Sequence, residues 1–84
     1  MLTHEQIVQV MKEMASSFLT GQRMDRDDEY SKKDNPSYWH ESEYDKTLGT
    51  ISLLFGARLI DGKTETFLRN LALRIFYPNI KNDL

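Results

Sequence analysis

Cysteine is absent from this 84-residue chain. Disulfides, thiolate metal sites and cysteine nucleophiles are excluded with it, and the absence fits a reducing compartment. Long hydrophobic runs are also missing. The longest nearly charge-free stretch, Thr47–Ile60, carries Arg58 and falls short of the roughly 20 residues that span a bilayer. The first residues, Met1-Leu2-Thr3-His4-Glu5, lack the basic start and apolar block of a signal peptide. The expectation is a cytoplasmic protein with no membrane association. A strong surplus of either charge is lacking too: the net charge is −2. Duplex-binding domains show a much larger basic excess, which argues against a nucleic-acid partner.

Several motifs are missing as well. No Ser/His/Asp order and no glycine-rich phosphate loop occurs, and no buried carboxylate pair stands out for acid–base work. Asp25, Asp27 and Glu29 alternate like the start of a calcium loop. Tyr30 then stands where that loop needs glycine, and Pro36 where it needs a bidentate glutamate. His40, Glu41 and Glu43 lack the three- or four-residue separation of a helical metal-ligand pair, so His40 reads as a surface histidine. The expectation is a non-enzymatic protein with neither metal nor cofactor.

What is present is helical. Thr3 and Gln6 have capping-box spacing, and Ile7, Met11, Met14 and Phe18 follow at three- and four-residue steps, widened by Val8 and Ala15. Gly21 stands where a left-handed terminating residue is wanted, so the first helix is expected over about 3–20. A second helix is expected over about 36–60, started by Asn35-Pro36 or, alternatively, at Glu41. Asp61-Gly62 ends it, and a third helix over about 64–77 is capped by Thr64, with Phe67, Leu68, Leu71, Ala72 and Ile75 as its core stripe. Tyr77-Pro78 stops that helix, leaving a tail over 79–84. The fold class is therefore all-α, a single domain: a three-helix bundle with a long acidic-aromatic connection, about 22–35, between the first two helices.

That connection and the start of the second helix hold the unusual chemistry. Residues 22–46 carry eight acidic side chains against five basic ones, together with the single tryptophan and three of the four tyrosines. Aromatic rings bury much area at low conformational cost and recur at binding hot spots. Asp25, Asp27, Asp28, Glu29, Tyr30, Tyr38, Trp39, Glu41 and Glu43 therefore form the candidate contact surface for a protein partner with a basic surface. An adaptor, inhibitor or regulator would work in this way.

The second helix is apolar on two sides. Tyr44, Leu48, Ile51, Phe55 and Leu59 share one face, while Gly49, Leu53, Gly56 and Ile60 share the opposite one. A helix apolar all round is usually buried all round, and glycines in a helix suit a closely packed backbone. The glycine face is thus either covered within the bundle or the seam of a homodimer. With Leu73, Phe76 and Tyr77, the residues Gly49, Leu53, Gly56 and Ile60 form the candidate self-association set.

Two alternatives use the basic residues of the C-terminal third. Arg58, Arg69 and Arg74 have the charge to hold a small anionic or nucleotide-like ligand at a helix or subunit interface. Arg69, Asn70 and Arg74 also have the vocabulary of a DNA-reading helix. Glu65, four residues before Arg69, offers the plainer reading of a helical salt pair.

Overall fold

A computed structural model describes residues 1–29 and 34–79 as three helices: α1, His4–Asp27; α2, Tyr38–Gly56; and α3, Gly62–Phe76. No strand occurs among the described residues, and the all-α three-helix architecture holds. No described helix is long and apolar enough to cross a membrane.

α1 opens with the expected capping box. The Gln6 amide donates to Thr3 Oγ1 at 3.2 Å, and the Thr3 amide donates to Gln6 Oε1 at 2.8 Å. Its end differs from expectation, because the helix continues seven residues past Thr20 to Asp27. Gly21 is not a terminating residue. It is buried in the helix interior, where α2 crosses so closely that an added Cβ would lie 3.0 Å from His40 Cα and 3.1 Å from the Trp39 carbonyl oxygen. The glycine serves backbone approach and not chain reversal.

α2 is shorter than expected at both ends. Asn35 and Pro36 form a turn, in which the Tyr38 amide donates to the Asn35 carbonyl at 3.1 Å, and the helix starts at Tyr38. At the other end the Arg58 amide donates to Phe55 O and the Leu59 amide to Leu54 O. This pairing is the Schellman arrangement, with Arg58 at φ 60° in the left-handed position usually given to glycine. Arg58 thus lies beyond α2 and not within it. α3 begins two residues early because Asp61, rather than Thr64, caps it: the Thr64 amide donates to Asp61 Oδ1 at 2.8 Å.

The core is formed by Met14 from α1, Ile51 from α2, Ile60 from the link, and Leu68 and Ala72 from α3. Ile7, Val10, Met11, Tyr44, Leu48, Leu71 and Ile75 pack around it half-buried. Full burial of a large apolar side chain, as at Ile51 and Leu68, contributes about 1.5–3 kcal/mol. Phe67, expected in the core stripe, is 51% exposed, and Ala15 is exposed as well. The Leu2 amide donates to Leu59 O at 2.7 Å, tying the N-terminus to the α2–α3 link.

Candidate functional site

Polar contacts join the end of α1 to the start of α2. The first turn of any helix leaves backbone N–H groups without intrahelical partners. Here one carboxylate takes two of them: Asp25 Oδ1 accepts from the Trp39 amide at 2.8 Å, and Oδ2 from the His40 amide at 3.0 Å. The Trp39 indole N–H then donates to Asp28 Oδ2 at 2.6 Å. An acidic group at a helix N-terminus also meets the positive end of the helix dipole.

This arrangement corrects the sequence-based surface. Asp25, Asp28 and Trp39 are half-buried and hold α1 against α2, so they do not stand out as a free contact patch. Aromatic residues in a charged segment read equally as anchors or as readers, and for Trp39 the anchor is what forms. Asp27 pairs with Arg26 at 3.0 Å on the surface, and Glu29 is exposed. Tyr30 lies outside the described residues.

His40 is a second correction. It is buried, not on the surface, with Nε2 donating to the Phe76 carbonyl at 2.7 Å and Nδ1 3.0 Å from the side-chain Nε2 of Gln22. A carbonyl oxygen can only accept, so the Nε2–H tautomer satisfies both ends of the ring at once. Around it stand Phe18, Phe76 and Tyr77, with ring centroids 5.6, 5.2 and 5.0 Å away. Tyr44 packs on Phe76 and Tyr77 at 5.3 and 5.1 Å. This aromatic cluster draws side chains from all three helices.

Two members of the self-association set are therefore internal. Phe76 is 2% and Ile60 3% exposed within one chain, and neither can lie on a seam. Leu73 and Tyr77 are half-buried. The glycine face of α2, by contrast, is not covered by the bundle. Leu53 is 76% exposed, and Cβ atoms built at Gly49 or Gly56 would meet nothing within 4 Å.

Tyr38, Ser42, Asp45, Lys46, Gly49, Leu53 and Gly56 fall within an arc of about 100° on α2 and form its outer face. Tyr38 is 46% exposed and stacks edge-on against Trp39 at 4.9 Å. A shallow depression beside it is lined by Tyr38, Glu41, Ser42, Asp45 and Lys46. Glu41 accepts from Ser37 Oγ at 3.1 Å, and neither Glu41 nor Asp45 forms an ion pair with a described residue. Their charge is felt nearby: burial first, then Glu41, Tyr44 and Asp45, pushes the Tyr77 phenol above its ordinary pKa. Glu43 is mostly covered and pairs with Lys46 at 3.6 Å.

The arginines do not converge. Arg69 is held by Glu65 at 3.5 Å, as the sequence spacing implied, and also donates to Ser52 Oγ. Arg58 and Arg74 are exposed. Among the described residues, no group of three His, Asp or Glu side chains is placed to hold a metal ion. A cleft of about 230 Å³ opens between α1 and α2 over Met14 and Ile51, with Glu13, Glu43 and Lys46 in its walls. It is smaller than the roughly 300–1,000 Å³ of ligand pockets. Compared with known proteins, the chain matches no family, no curated protein and no solved structure.

Proposed function

We propose that this chain is a small non-enzymatic protein–protein interaction module, of the adaptor, inhibitor or regulator kind, that meets its partner with the outer face of α2. The observation that carries this reading is Leu53: 76% exposed between two open glycines, on the same face as the half-exposed Tyr38. Exposed apolar and aromatic groups aligned on one face mark a contact surface, and small neighbours let a second backbone come close. Glu41 and Asp45 beside Tyr38 favour a basic group on the partner, which the tyrosine ring can also meet through its face. The proposed acidic-aromatic surface keeps Tyr38 and Glu41 of the sequence-based set and adds Asp45. A cytoplasmic setting accords with the absence of cysteine.

The test is photo-crosslinking in cells expressing the chain, with a benzophenone amino acid replacing Leu53 or, as a control, the exposed Lys12 of α1. Discrete protein adducts are expected from position 53 and not from position 12. Equal labelling from both positions, or none from either, removes the reading.

A further inference from the structure

The polar lining of the cleft between α1 and α2 is rich in acceptors. Val10, Glu13, Met14 and Ser17 follow at helical spacing, so α1 turns them to one side, and Glu43, Thr47 and Thr50 do the same on α2. The floor is apolar, formed by Met14 and the fully buried Ile51. Above it, the Thr47 hydroxyl donates to the Glu43 carbonyl at 3.0 Å and the Thr50 hydroxyl to the Lys46 carbonyl at 3.1 Å. Each hydroxyl has spent its proton on its own helix, and only lone pairs remain for a ligand.

Two carboxylates strengthen this character. Glu13, in the α1 wall, forms no ion pair with a described residue. Glu43, in the α2 wall, has a side chain only 13% exposed, yet Lys46 Nζ stands 3.6 Å away, beyond hydrogen-bond reach. The lysine side chain is itself 70% exposed. A covered carboxylate is stabilised by a close charged donor, and Lys46 does not supply one. With two acids against one base, the walls carry a net charge of −1.

An occupant must therefore bring N–H donors, positive charge and an apolar stem into about 230 Å³. That volume is small for a cofactor and suits one long side chain. Arginine meets every requirement. Its planar guanidinium only donates, is more weakly hydrated than an ammonium, and sits on an aliphatic stem that lies along apolar surface. We infer that the cleft receives an arginine side chain of a protein partner, with the stem over Met14 and Ile51 and the guanidinium between Glu13 and Glu43. The cleft is a different site from the outer face of α2, and its test does not depend on that face.

The test is a titration of the intact chain followed by its backbone amide NMR signals. The probe is Nα-acetyl-arginine methylamide, and the norleucine compound is the neutral control. The arginine compound is expected to give saturable shifts concentrated at Ser17, Glu43, Thr47 and Thr50, at about millimolar concentration for so few atoms. Norleucine gives none. Glu13→Gln and Glu43→Gln should each weaken binding about fivefold or more, and Lys46→Gln, which removes a competing cation, should strengthen it. Shifts no stronger than those from norleucine, shifts spread evenly over Glu41, Asp45 and the other exposed acids, or binding indifferent to both glutamine variants would overturn the inference. Free arginine binding about tenfold more tightly than the capped compound would also overturn it, by assigning the cleft to a free amino acid. Circular dichroism verifies that the variants fold. Should Glu43→Gln fail to fold, the exposed positions Glu13 and Lys46 carry the same comparison.

Discussion

Gly21 and His40 set the distance between α1 and α2: a Cβ built on Gly21 would stand 3.0 Å from His40 Cα. The atoms in the way are backbone. They belong to a helix turn already held by the Asp25 carboxylate and by the His40–Phe76 bond, so they have little freedom to retreat.

Gly21→Ala should therefore destabilise the fold. Alanine gains about 1 kcal/mol in helix propensity, but overpacking against fixed backbone costs about 1–3 kcal/mol. A net loss of about 1 kcal/mol in urea unfolding is expected. Gly49→Ala, facing open space, should instead gain about 0.5–1 kcal/mol. Equal effects at the two glycines would contradict this account of the crossing.

Asp25→Ala removes the acceptor for two amides of the first turn of α2. Loss of a capping side chain costs about 0.5–2 kcal/mol. Because Trp39 lies in that turn and is half-buried, its emission should shift to longer wavelength before global unfolding. Unchanged emission and stability would mean that Asp25 does not hold the helix start.

Arg58→Gly should stabilise. A non-glycine residue in the left-handed region carries about 1–2 kcal/mol of strain, and part of it is regained by the greater entropy that glycine brings to the unfolded chain. A rise of up to about 1 kcal/mol is expected by thermal or urea denaturation. A loss would show that the Arg58 side chain makes a contribution larger than its backbone cost.

Tyr77 predicts a loss of stability in alkali. Burial, with Glu41, Tyr44 and Asp45 behind it, raises the folded pKa of the phenol above the unfolded value. The folded state then holds the proton more tightly. The resulting stability is fully present below about pH 10 and is lost as pH rises through the folded pKa. Tyr77→Phe should flatten the decline in urea midpoint between about pH 9 and 11. An identical decline in both proteins would assign it to other groups.

The helices were legible wherever the pattern was periodic. Thr3 and Gln6 made the capping box, and Glu65 found Arg69 at the four-residue spacing. The errors fell where a long-range contact decided the local structure. Thr20-Gly21 has the look of a helix end, and only the approach of His40 explains a glycine within a helix that continues. Asp25 and Asp28 read as part of a contact surface because their partners, Trp39 and the amides of α2, are 11 to 15 residues away in sequence. His40 looked like a surface residue for the same reason, since Phe76 O is 36 residues distant. The two-sided apolarity of α2 was visible, but which side the bundle covers was not. Ile51 went inward, and Leu53 remained outside.

The most direct measurement is photo-crosslinking from the outer face of α2. A benzophenone amino acid in place of the exposed Leu53 is expected to give discrete protein adducts, whereas the same group in place of the exposed Lys12 of α1 gives none. Equal labelling from both positions, or none from either, would contradict the contact face.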